Sequence, residues 1–223
     1  MTFKEDKLTL LGNKSIDHVA FDLDGVLIDS MSVMEKSWVS ASNKYGLGIP
    51  FSSFVEQIGL PFRASMSNLQ VSPLCVEDVE IEFSRVATKL QSQINVYDGV
   101  IDFLKKLSLN QIEISIVTSK HQKRAVAIIE EKFQSVKFNC VVCPESVNLG
   151  RGKPFPDQLL FAANKSGISI ENTIYIGDTE IDRMVADSAN CTFIFAEWGY
   201  GASPTVAGLS FKSVDNLSDF IFN

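Results

Sequence analysis

Short apolar, β-branched runs alternate with helix-length amphipathic stretches along most of this 223-residue chain. A strand that is followed by a helix before the next strand builds parallel βαβ units, so the rhythm points to an α/β fold. The runs at 18–23, 112–117, 139–143, 173–176 and 191–196 are expected to be strands, with a weaker edge strand at 209–214. Helices are expected at 99–107, 121–133, 156–166 and 180–188, where apolar residues recur at helical spacing.

Residues 30–95 break the alternation. They are rich in helix formers with apolar residues three and four apart, and Gly/Pro breaks at 46–50, 59–61 and 72–73 divide them into short helices. The expected organisation is therefore an α/β core formed by 1–29 and 96–223, with 30–95 inserted as a helical subdomain. Phe51, Phe54, Phe62 and Phe83 fall in the insert, either as its core stripe or at its interface with the α/β part.

Composition narrows the function classes. Asp and Glu number 27 against 20 Lys and Arg, and a net charge of −7 opposes binding to nucleic acid or anionic membrane. No run of about 18 uninterrupted apolar residues occurs, and the first residues lack the apolar core of an export signal, so a cytoplasmic protein is expected. The four cysteines are too sparse for a disulfide scaffold. Cys140 and Cys143 form a CxxC, but within an apolar run residues three apart face opposite sides of a strand, which favours strand packing over zinc. Without an export signal, the sequons at Asn13, Asn164, Asn190 and Asn216 carry little meaning.

The polar residues that end the expected strands carry the chemistry. In HVAFDLDGV, Asp22 and Asp24 lie two apart at the end of the first run and are followed by Gly25. Such a pair is either an acidic turn that reverses the chain or a ligand site beyond the carboxyl end of a strand. In TIYIGDTEID, Asp178 follows another apolar run and Asp182 stands four residues later at a helix start. Helix capping would explain Asp182, whereas convergence with Asp22 would create a hard oxygen site suited to Mg²⁺. EISIVTSK ends in Thr118 and Ser119, whose hydroxyls and following N–H groups can either cap a helix or hold a phosphate. Lys153, in the Gly- and Pro-punctuated GRGKPFPD, is either a solvated loop lysine or the cation that balances the carboxylates.

DLDGV, TSK, GKPFPD and GDTEID, in that order and at those strand ends, together resemble the haloacid dehalogenase superfamily of phosphohydrolases. The resemblance covers the chain from about Ser15 and implies a Rossmann-like parallel sheet flanked by helices, with 30–95 as the helical cap of the phosphoglycolate phosphatase and β-phosphoglucomutase-like branch. It also implies a Mg²⁺-dependent phosphatase acting on a small phosphorylated metabolite. Asp22 would be the nucleophile that forms an aspartyl-phosphate, and Asp24 the general acid and base. Thr118 would bind the transferring phosphoryl group and Lys153 would stabilise its charge. Asp22, Asp178 and the backbone carbonyl of Asp24 would hold Mg²⁺, with Asp182 supporting them.

A carboxylic acid at the Asp24 position points to phosphate esters within the superfamily. Mutases of the β-phosphoglucomutase type carry a cap histidine at the position that aligns with Met34, which weighs against mutase activity. EWGYG, with Trp198 and Tyr200, is similar to the phosphoglycolate phosphatase branch. Ser119, Gly25 and Arg63 are the candidate substrate contacts, Arg63 following the Gly59-Leu60-Pro61 break where a guanidinium could meet a substrate anion. His121 is a weaker candidate, and His18 is expected to pack beneath the first strand. A noncatalytic metabolite-binding module is the competing reading of another class. Binding alone, however, requires no paired nucleophile and acid.

Overall fold

The computed structural model describes residues 15–148, 151–201 and 208–222. The expected alternation is present: β1 (His18–Phe21), β4 (Glu113–Val117), β5 (Cys140–Val142), β6 (Thr173–Gly177), β7 (Thr192–Ala196) and β8 (Leu209–Phe211) form one parallel sheet in the order β5-β4-β1-β6-β7-β8. The chain winds outward from β1 on one side, then returns to wind outward on the other. In such a sheet the ligand crevice lies beyond the carboxyl ends of the central strands.

All of β1 and β6 is buried, as strands covered on both faces require. Val19, Phe21, Ile114, Ile116, Ile174 and Ile176 pack toward α5 (Val100–Leu109) and α9 (Val214–Phe222). On the other face Ala20, Val117, Val142 and Tyr175 meet α7 (Asp157–Ser166) and α8 (Glu180–Ala189). Cys140 packs with this second cluster and Cys143 with the first, so the CxxC pair does face opposite ways. His18 is buried between Ser115 and Thr173.

The insert leaves the core at β2 (Ile28–Asp29) and returns at β3 (Asn95–Val96), which pair antiparallel so that both crossings lie side by side. It contains α1 (Met31–Lys44), α2 (Phe51–Val55), α3 (Phe62–Asn68) and α4 (Val76–Lys89). Trp38 stacks on Phe54 at 4.6 Å, and Phe54, Phe62 and Phe83 follow at 5.5–6.5 Å, so the aromatic stripe is the insert's core. Buried Glu82 ties α1 to α4 by accepting from Ser40, Lys44 and Arg85.

The edge strand at 209–214 needs correction. It ends at Phe211, and Val214 opens α9 because Ser213 caps a helix there, its Oγ accepting from Asn216 N–H at 3.2 Å. Val214, Leu217 and Ile221 then form one buried face. Among the described residues no helix is long and apolar enough to cross a membrane. The segment 1–14, with Asn13, lies outside the described residues.

Candidate active site

Asp22 continues β1, its N–H donating to Ile176 O at 2.8 Å, and its carboxylate stands at the carboxyl edge of the sheet with 5% of the residue exposed. The chain then turns sharply, with Leu27 and Ile28 N–H both donating to Leu23 O. Gly25 makes the turn at φ +86°, and a Cβ there would lie 2.0 Å from Asp178 Oδ2. Gly25 therefore stands against the Asp178 carboxylate, where any side chain would displace it.

Far from β1 in sequence but paired beside it in the sheet, β6 delivers Asp178 and the start of α8 delivers Asp182. Thr179 caps α8, and its Oγ donates to Asp182 Oδ2 at 2.6 Å, with Thr179 N–H at 3.2 Å. Asp182 Oδ1 accepts from Tyr175 OH at 2.8 Å and Lys153 Nζ at 2.6 Å. Capping and convergence, open alternatives in the sequence, are both realised. Lys153 is buried, and its Nζ also lies 2.9 Å from Asp22 Oδ1. The solvated-loop alternative is excluded.

Asp22, Asp178 and Asp182 each offer an oxygen within 4.8 Å of the others, forming a cluster able to hold a metal ion. Asp182 has both oxygens occupied by donors. Asp178 Oδ2 accepts from Tyr200 N–H at 2.6 Å, while its Oδ1 is buried without a hydrogen-bond partner among the described residues. Burial, then Asp182 and Asp22, raises the Asp178 carboxyl well above its usual range. The Asp22 carboxyl is pushed up to about 7, foremost by burial; Lys153 opposes the shift, and Asp182 and Asp24 add to it. Lys153 itself is held up at about 12, since the two carboxylates outweigh its own desolvation. Three buried carboxylates around one ammonium leave negative charge uncompensated. Together with the orphaned Asp178 oxygen and an all-oxygen donor set, that deficit fits a hard divalent cation.

Asp24 sits at the rim of this cluster. Its Oδ2 is 3.0 Å from Lys120 Nζ, and its Oδ1 accepts from Ser30 Oγ. Thr118, 1% exposed at the end of β4, accepts from Lys120 N–H at 3.1 Å. Ser119 Oγ donates to Gly59 O at 2.6 Å, so this hydroxyl joins the core to the insert. Arg63 is exposed on α3. His121 caps α6 (Gln122–Lys132) and pairs with Glu145 at the surface.

Several participants escaped sequence reasoning. Buried Lys120 pairs with Asp24 across 96 positions of chain, a proximity for which the sequence carries no signal. Buried Gln158 on α7 donates to Thr118 O and Val142 O and accepts from Lys153 N–H, fixing three loops with one amide. Tyr200 contributes its N–H to Asp178, and its OH accepts from Ser30 N–H at 2.5 Å; Trp198 Nε1 donates to Val26 O. The EWGYG loop was the one sequence signal for these last contacts.

A Rossmann-like sheet with a helical insert after the first strand and carboxylates gathered at two strand ends defines the class of capped haloacid dehalogenase-type hydrolases. Residues 19–196 match the haloacid dehalogenase-like hydrolase family, and the chain belongs to it. It is similar to phosphoglycolate phosphatase 1 of Pseudomonas aeruginosa, 27% identical over 91% of this chain and 78% of that protein. It is also similar to a phosphoglycolate phosphatase of Xanthomonas campestris, 29% identical over 82% of this chain and 83% of the relative. Among solved structures, a predicted phosphatase from Clostridium acetobutylicum superposes with a TM-score of 0.80 at 26% identity, covering 93% of this chain and 98% of that one.

Proposed function

We propose that the protein is a Mg²⁺-dependent phosphatase that hydrolyses a small phosphorylated metabolite through an aspartyl-phosphate on Asp22. The observation that carries this reading is the Asp22 carboxylate, buried at a strand end, held at Oδ1 by Lys153 and sharing a cluster with the under-satisfied Asp178. With Oδ1 held by Lys153 at 2.9 Å, Asp22 Oδ2 is the oxygen assigned to attack.

Asp22 would attack phosphorus while the leaving-group oxygen takes a proton from Asp24. Water, deprotonated by Asp24, would then cleave the acyl-phosphate and release inorganic phosphate. Thr118 and the N–H groups that follow it bind phosphoryl oxygens, and Lys153 neutralises charge on the equatorial oxygens. Asp22, Asp178 and the carbonyl of Asp24 would hold Mg²⁺, which supplies positive charge to the phosphoryl oxygens and relieves the repulsion among the carboxylates. Asp182, saturated by Lys153, Tyr175 and Thr179, orients Lys153 from behind.

Residues 30–95 act as a cap that closes on the core about the β2/β3 pair and excludes water from the acyl-phosphate. The phosphoglycolate type of substrate is favoured by the two relatives of that name. The mutase alternative is disfavoured because the apolar Met34, buried in α1, offers no proton relay at the cap position. Phosphate release from an aryl phosphate with Mg²⁺, with EDTA and with Asp22→Asn tests the reaction. Metal-dependent turnover abolished in the variant is expected, and undiminished turnover in Asp22→Asn overturns the mechanism.

A further inference from the structure

Arg124 occupies the first turn of α6, directly after the loop that carries Thr118. Its guanidinium lies over the Phe83 ring of α4 with Cζ 5.4 Å from the centroid, so a cation rooted in the core reaches the underside of the insert. Among the described residues the group has no hydrogen bond and no ion pair within 4 Å. The acidic groups that face it are Asp24 from the core and Glu80 from α4, and Lys120 faces it as a like charge. Asp24 is already engaged by Lys120 and Ser30, and Glu80 stays beyond ion-pair distance. Burial disfavours the charged guanidinium, and these two carboxylates offset it only in part. A half-buried arginine over an aromatic ring, with its planar fork of donors unspent and facing Asp24, is arranged to receive a planar or tetrahedral anion.

We infer that Arg124 reads an anionic group on the leaving-group side of the substrate, a carboxylate or a second phosphate, and so selects phosphomonoesters whose alcohol portion is itself charged. The inference rests on the phosphatase reading above and deepens it. It moves the selecting cation from Arg63, exposed on α3, to a core residue that meets the substrate when the insert lies over it. Phe83 holds the cation over its ring face, 5.4 Å from the centroid, which favours the charged guanidinium at this position.

The test compares kcat/KM in wild type, Arg124→Gln and Arg124→Lys on phosphoglycolate, fructose 1,6-bisphosphate, glycerol 3-phosphate and an aryl phosphate. The expected result is that wild type prefers one of the two anionic leaving groups, and that Arg124→Gln lowers the ratio of its kcat/KM to that of the aryl phosphate about 10- to 100-fold. Arg124→Lys should restore part of that ratio, since it keeps the charge and loses the fork. Preference for phosphoglycolate assigns a carboxylate, and preference for the bisphosphate assigns a second phosphate. An equal fall on every substrate would show a structural strut between core and insert and overturn the inference. So would a wild type that turns over the aryl phosphate and glycerol 3-phosphate but neither anionic substrate, with the phosphatase reading intact. Absence of turnover on the entire panel would remove the phosphatase reading and this inference with it.

Discussion

Lys153 Nζ lies 2.9 Å from Asp22 Oδ1, and the lysine side chain is wholly enclosed. The same ammonium reaches Asp182 at 2.6 Å, so one cation holds two carboxylates that would otherwise repel each other in a dry site. Lys153→Met keeps the volume and deletes the charge. It should lower stability by about 3–5 kcal/mol at pH 7, the usual cost of breaking a buried pair, and slow phosphate release on the order of 10³-fold. Without the ammonium the folded state retains protons on its carboxylates, so the deficit against wild type should shrink as pH falls from 7 to 5. Urea unfolding at the two pH values checks this, and a wild-type midpoint at pH 7 would contradict it.

Asp178 separates metal binding from folding. Its Oδ2 is bound by Tyr200 N–H while Oδ1 is buried and unpaired among the described residues, so Asp178→Asn removes a buried charge without removing the acceptor. Stability without metal should stay within about 1 kcal/mol of wild type or rise, whereas the Mg²⁺-induced gain in melting temperature should disappear. Melting curves across a Mg²⁺ titration decide it; an unchanged Mg²⁺ response would count against a metal at Asp178.

Gly59 lets the insert seat on the core. It adopts φ +100°, and a Cβ would lie 2.9 Å from Thr179 Oγ and 3.1 Å from Ile181 Cβ, while its carbonyl accepts from Ser119. Gly59→Ala should cost about 1 kcal/mol or more and lower kcat/KM, because the turn must lift from Thr179 and Ile181. Faster limited proteolysis within 30–95, with Ser119→Ala showing a smaller effect of the same kind, is the expected readout. Protection equal to wild type would sink the idea.

His18 makes stability pH-dependent far from the site. Thr173 Oγ donates to Ser169 O and so accepts from His18 Nδ1–H, leaving Nε2 to accept from Ser115; the buried ring is thereby the neutral Nδ1–H tautomer. Burial lowers its pKa from 6.5 to about 4. The unfolded chain thus binds the proton first as pH falls, so stability is intact above about 6.5 and is lost progressively toward 4. At about 1.4 kcal/mol per pKa unit the loss approaches about 3 kcal/mol. Denaturant titrations at pH 7, 6, 5 and 4 should show this slope in wild type relative to His18→Gln; parallel curves would refute it.

Local pattern made much of the fold legible. The strands at 18–23 and 173–176 could be read from continuous β-branched and aromatic runs, and the insert from the loss of alternation after Ser30. The last helix was missed because LSFKSV reads as strand up to Val214, and the cap at Ser213 with apolar residues at 214, 217 and 221 was the overlooked signal. The β2/β3 pair, two residues on each side, is too short for any periodicity to show.

Chain chemistry alone indicated that carboxylates and hydroxyls would end several strands, with a lysine in a loop between them, because a parallel sheet brings all its carboxyl ends to one edge whatever the packing details. Only the tertiary structure decided which of them share a charge. Lys120 pairs with Asp24 and Lys153 with Asp22 and Asp182, while Arg124, over the Phe83 ring, has no ion pair among the described residues. Those pairings depend on distances of a few ångströms between residues far apart in sequence. Electrostatic strength in a water-poor site depends on such distances and on burial, neither of which is written in local spacing.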